Sequence, residues 1–287
     1  LGNNGVVAAY LVTGKKRALI DMGYQSSAEV VIRKLREKDV GPGGLQYLLP
    51  THVHLDHAGS CGSLARAFPN ATVGCHPLGA PHLVDPARLI ASAGKLFGEA
   101  LMRNYGLPEP IDERRIHTVA DGETISLGTG VTLRSVWTPG HAPHHLSYVL
   151  EESGVVFTGD AVGVHYANFP VLVPTTPPPS FDLDLAVKSL SRIQGIFPSQ
   201  LFTPHFGIVS HPEGWLGENI RELLAWNSLV EGMLKEGRTA EGIADEFTKR
   251  SSQQIGRSVG EVPEYLRVLI RLNTLGFIRY QQKKRTA

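Results

Sequence analysis

Cysteine is almost missing from this chain: Cys61 and Cys75 are its only thiols in 287 residues. Two thiols cannot build a disulfide framework, so the fold must rest on an apolar core, and both read as small buried residues in a reducing compartment. A surplus of either charge is missing too, with 28 lysines and arginines against 27 aspartates and glutamates. That balance supplies no field to draw a polyanion, and no nucleic-acid partner is expected. No apolar run reaches the roughly eighteen residues that a membrane-crossing helix needs, and the start Leu1-Gly2-Asn3-Asn4 lacks the charged and apolar parts of a leader. No membrane partner and a cytoplasmic location are the resulting expectations.

Histidine, by contrast, is plentiful, with 12 in the chain. Three of them share six positions with a carboxylate in the run Pro50-Thr51-His52-Val53-His54-Leu55-Asp56-His57-Ala58-Gly59. The apolar Tyr47-Leu48-Leu49 before it reads as a buried strand and Gly62 to Phe68 after it as a helix, so the run lies on a strand-to-helix turn. In extended backbone His52 and His54 face one way while Val53 and Leu55 pack inward. Asp56 and His57, entering the helix, can reach a second ion. Imidazole with carboxylate suits zinc, iron or manganese.

The wording T-H-x-H-x-D-H-A-G resembles the metallo-β-lactamase-fold superfamily. Three later stretches match that family's remaining motifs in order: Thr138-Pro139-Gly140-His141, Phe157-Thr158-Gly159-Asp160 and Thr203-Pro204-His205-Phe206-Gly207. The resemblance implies an α/β (α+β) fold, a four-layer αββα sandwich with its metal site along one edge. It also implies a ligand set. His52, His54 and His141 would hold one ion, Asp56, His57 and His205 a second, and Asp160 would bridge them. Two divalent transition-metal ions follow as cofactors, zinc first, with iron or manganese as alternatives. Asp21, in a D-x-G turn, would orient the metal-binding loop, with ordinary turn chemistry as the other possibility. The segment His76 to Pro86 resembles an uncharacterised archaeal and bacterial branch of these dinuclear hydrolases, so His76 and His82 are candidates to touch the pocket or are plain structural residues.

From this resemblance the expected enzyme is a metal-dependent hydrolase that uses a metal-bridged hydroxide on a small-molecule ester, thioester or lactone bond. Asp56 and Asp160 are its catalytic carboxylates. The alternatives are a mononuclear iron dioxygenase of the persulfide type and a non-catalytic diiron module that binds oxygen.

Elsewhere the patterning predicts a hairpin from Val6 to Asp21, a helix over Ala28 to Lys38 capped by Ser27 with Val30, Val31 and Leu35 on its buried face, and a second set of strands from Glu123 to Thr158. Residues 87 to 105 have helical spacing and suit a lid, a homodimer contact or a helix packed on its own domain. A proline-rich loop from Ala161 to Ser180 should run beside the metals, with His165, Tyr166 and Phe169 as candidate substrate contacts. The expected organisation is a catalytic domain over residues 1–215 and a helical extension over 216–287. Tyr265 to Tyr280 loosely resembles the recognition helix and wing of a winged-helix module, but a helical cap with a solvated basic tail is the expectation.

Overall fold

A computed structural model describes residues 7–128, 130–166, 169–205, 207–254, 256 and 258–286, without the side chains of residues 165, 166, 169–171 and 265. The first half runs β1 (Tyr10–Thr13), β2 (Arg17–Ile20), α1 (Ala28–Arg36), β3 (Tyr47–Leu49), α2 (Leu55–Ala58), α3 (Cys61–Ala67), β4 (Thr72–Cys75), α4 (Ala80–Val84), α5 (Ala87–Tyr105) and β5 (Ile116–Thr118). The second half starts with β6 (Thr124–Gly128), β7 (Val131–Trp137), β8 (Leu146–Leu150), β9 (Val155–Phe157), β10 (Val164–Tyr166) and β11 (Phe169–Val173). It ends with α6 (Leu183–Gln194), β12 (Gln200–Thr203), β13 (Gly207–Val209), α7 (Pro212–Lys235), α8 (Ala240–Gln254) and α9 (Glu264–Thr286).

Two sheets form the centre. One has the order β1-β2-β3-β4-β5 and the other β13-β12-β9-β8-β7-β6. Parallel pairing of β2, β3 and β4 demands crossover connections, and α1 and the α2–α3 segment supply them.

Period-two alternation sorts the side chains into layers. Ala18, Ile20, Leu49, Leu133, Leu146, Tyr148 and Phe157 fill the space between the sheets. Their neighbours Leu19 and Leu48 turn outward to meet Ile32, Leu35 and Leu64 of α1 and α3. On the far side Val136, Val149, Val156 and Leu201 meet Leu190 of α6 and a core shared with α7, α8 and α9. The outcome is the four-layer αββα sandwich.

Several local expectations are corrected. The first strand starts at Tyr10, with residues 1–6 outside the described part. Ser27 makes no cap: its hydroxyl donates to Tyr24 O at 2.6 Å, so α1 begins without that bond. Val30 is 46 % exposed, because Ala28, Ile32 and Leu35 form the buried stripe instead. The proline-rich loop contains the hairpin β10–β11; a two-stranded ribbon tolerates Pro170 because its outer backbone needs no ladder partner.

α9 is one continuous helix with no wing. It passes straight through Gly276, where an added Cβ would lie 1.6 Å from Thr176 O. Glycine therefore lets this helix lie directly on residues 175–177. Asn273 completes the join: its Oδ1 accepts from Thr176 N at 2.7 Å and its carbonyl accepts from Thr176 Oγ1 at 3.0 Å. Replacing Asn273 with alanine strands a buried N–H, which costs about 1–3 kcal/mol. At roughly 2–4 °C per kcal/mol for a chain of this size, calorimetry should show a melting point several degrees lower.

Candidate metal centre

Strand direction explains why distant motifs meet. β7 and β9 each pair antiparallel with β8, so they run the same way, and β12 is parallel to β9. The turns after β7, β9 and β12, which carry His141, Asp160 and His205, therefore leave the same edge. The turn after β3 joins them through Leu146 N, which donates to Thr51 O at 2.7 Å across the sandwich.

The seven residues expected from the motifs converge here. Donor atoms within 4.8 Å of one another form three groups: His52, His54 and His141; His52, His57 and Asp160; and Asp56, His57 and His205. Val53 and Leu55 are buried and line the cavity beside the donors, Leu55 packing against Ala93 and Met102 of α5. His165, Tyr166 and Phe169 have backbone positions in β10 and β11, but their side chains lie outside the described residues.

Each ring's far nitrogen fixes what its near nitrogen can do. The Thr51 hydroxyl donates to Asp21 at 2.9 Å, so its oxygen accepts from His52 Nδ1–H at 3.1 Å. His141 Nδ1–H donates to the Thr175 carbonyl at 2.9 Å. Both Nε2 atoms are then bare lone pairs, and both lie 2.9 Å from His54 Nδ1. That nitrogen can donate to only one of them. Three nitrogen atoms crowded in this way want a cation among them.

The second group has the same demand. His57 Nδ1 donates to Asp21 Oδ2 at 3.0 Å, leaving Nε2 toward Asp160 Oδ1 at 3.4 Å and Asp56 Oδ2 at 3.6 Å. His57 Nε2 and Asp160 Oδ1 are buried without a hydrogen bond. Burial opposes a charge on His57, yet Asp56, Asp21 and Asp160 outweigh it and hold the imidazole well above its usual range. Where a proton is favoured that strongly, a metal ion fits. In the first group burial, reinforced by neighbouring imidazoles, holds His52 and His54 well below the usual range, so both are neutral and ready to ligate.

Asp160 spans the two groups. Its Oδ2 is 3.5 Å from His141 Nε2, and its Oδ1 is 3.2 Å from His205 Nε2. A relay of hydrogen bonds sets its position: Asp160 N donates to His145 Nε2 at 3.0 Å, and His145 Nδ1 donates to Thr138 Oγ1 at 2.8 Å. Thr138 continues to Ser147, and Ser147 to Thr158 O. Gly159 is required beside this relay, because at φ 50° its Cβ would meet His145 Nε2 at 2.5 Å. His145 is thus structural, while His76 stacks on Trp137 and His82 lines the cavity.

Asp21 anchors the loop from behind. Besides His57 and the Thr51 hydroxyl it accepts from Thr51 N at 2.8 Å, and it does so from a left-handed backbone at φ 52°. Thr51 and Thr175 hold two of the three rings of the first group; the motif includes Thr51 without announcing this role, and no spacing marks Thr175. Thr175 also donates to Asp160 O, so the loop that α9 packs on touches both His141 and Asp160.

A four-layer sandwich with clustered imidazoles and carboxylates at one sheet edge defines a class of metal-binding αββα proteins. The chain belongs to the metallo-beta-lactamase superfamily, whose family model matches residues 2–205. A metallo-beta-lactamase fold-containing protein, ST1585 of Sulfurisphaera tokodaii, is 30% identical over 209 residues, 71% of this chain and 74% of that one. The solved ST1585 structure superposes with a TM-score of 0.63 and 27% identity, covering 77% of this chain and 81% of that chain. Two partial relatives carry different chemistries. Thioesterase pkgB of Emericella nidulans is 33% identical over 159 residues, 54% of this chain and 36% of its own length. Coenzyme F420H(2) oxidase of Methanothermobacter marburgensis is 27% identical over 236 residues, 72% of this chain and 53% of its own length. The chain thus spans only about a third and about half of those two proteins. No helix among the described residues is long and apolar enough to cross a membrane.

Proposed function

We propose that the protein is a metal-dependent hydrolase of a small-molecule ester, thioester or lactone, with residues 216–287 as a helical cover on a catalytic part over 1–215. In this reading His52, His54 and His141 hold one ion, Asp56, His57 and His205 hold the other, and Asp160 lies between them. The observation that carries it is the division of the Asp160 carboxylate, with Oδ2 toward His141 and Oδ1 toward His57 and His205. A mononuclear site has no use for the complete second group. Zinc is the first choice of ion, and the same donors accept iron or manganese.

Divalent ions held by these residues would supply a bound water of near-neutral pKa and a Lewis acid for a carbonyl oxygen. The chain's own residues do the rest. Asp56 belongs to the second group and also lines the cavity, where it is placed to orient the attacking water and take up its proton. Asp21, Thr51 and Thr175 keep the lone pairs of His57, His52 and His141 turned toward the other donors. His144 lines the same cavity and stays neutral, since burial and then His141 push its pKa down to about 3. A neutral imidazole can donate a hydrogen bond to a substrate without adding charge.

The pkgB relative supports hydrolysis and the oxidase relative supports a redox reaction, for which the same donors could hold iron, so the test must separate them. Zinc-reconstituted protein should hydrolyse a member of an ester, thioester and lactone panel, lose that rate to a chelator and regain it with added metal. Inactivity on all three classes, together with oxygen uptake by the iron-loaded protein, would contradict the proposal.

A further inference from the structure

The donors open onto a cavity of about 480 Å³, within the usual range for small-molecule sites. Apart from the donor residues its described lining is mostly apolar, and among the described residues Arg88 is its one charged side chain besides the donor carboxylates. Leu96 and Phe97 of α5 and Val268, Leu269 and Leu272 of α9 contribute to it. These helices come from distant parts of the chain, so the apolar lining is not the by-product of one helix's core stripe. Gly98, at φ 76°, breaks α5 between Phe97 and Tyr105, and residues on both sides of the break reach the cavity. Leu96 and Val268 remain 37 % and 43 % exposed, so the fold leaves large apolar groups uncovered beside a charged centre. Such a surface favours a ligand that covers it.

We infer that this cavity takes an apolar acyl chain attached to the scissile carbonyl, so that octanoyl compounds are preferred to acetyl ones. The inference rests on the hydrolase reading and names the substrate class within it. With the carbonyl at the donors, an alkyl chain extending along α5 and α9 is removed from water one methylene at a time, and each buried methylene is worth about a fourfold gain.

Two measurements on the metal-loaded protein test this. Calorimetric titration with acetate, butyrate, hexanoate and octanoate should give affinities rising with length, octanoate exceeding butyrate at least tenfold. Hydrolysis of the matching thioesters should show the same order in kcat/KM. Leu96→Glu and Val268→Glu, made separately at exposed positions on two helices, should each cut the octanoate-to-butyrate ratio severalfold. Affinities independent of length, or ratios untouched by both variants, would overturn the inference. Length-dependent binding with no hydrolysis of any thioester, ester or lactone would instead defeat the hydrolase reading and leave the acyl cavity standing. Hydrolysis with no length preference would do the reverse.

Discussion

Replacing Asp160 with alanine is expected to lower hydrolysis by roughly a thousandfold or more, an effect of about 4 kcal/mol on the barrier. This carboxylate offers one oxygen to each set of donors, so its loss removes the charge they share. Burial opposes its charge, but His57, His205 and His141 outweigh that cost and hold it well below the usual carboxylate range. Neutralising it leaves those rings facing a space without the negative charge that balances bound cations. Asp160→Asn keeps the shape and removes the charge, and it should fall almost as far. Rates within tenfold of the parent in both variants would remove Asp160 from the mechanism.

The second large effect is expected at a residue that touches no substrate. In Asp21→Asn the amide oxygen can still accept from Thr51 N, but an NH2 group then faces His57 Nδ1 where a carboxylate oxygen stood. The His57 proton is driven to Nε2, the nitrogen meant for metal. Metal affinity should drop about 10–100-fold, read by competition with a chelator. The fold should survive, because asparagine tolerates the left-handed backbone that position 21 adopts. Asp21→Ala removes every acceptor at once and should add a stability loss of about 3–5 kcal/mol. If Asp21→Asn bound metal as tightly as the parent, His57 would be oriented by some other group.

These residues differ in how far the sequence announces them. His52, His54, Asp56 and His57 stand together, and alternation along extended backbone is enough to predict which side chains share a direction. His141, Asp160 and His205 are separated by whole strands, and only the resemblance ties them to the first motif. The orienting roles of Thr51 and Thr175 escape notice because a hydroxyl or carbonyl that orients an imidazole needs no particular spacing. Their roles emerge from which atom must donate. The hairpin β10–β11 hides behind prolines that argue for loop, and β5 is only Ile116–Thr118, too short to show alternation. Gly276 is where α9 needs no side chain. Close packing, which the chain cannot reveal in one dimension, decided that case.

The C-terminal helices gain significance from the same contact. Through Asn273 and Thr176 they hold the segment whose Thr175 carbonyl orients His141, and through Leu269 and Leu272 they help enclose the space beside the donors. The same helices therefore shape the cavity and support one ring of the donor cluster within one core.

Elemental analysis of the protein purified without added metal is the most direct test of the paired centre. Close to two transition-metal ions per chain should be found, falling toward one in Asp160→Ala. A single ion per chain in the parent protein, unchanged after reconstitution with excess zinc, iron or manganese, would contradict the two-ion site on which the chemistry depends.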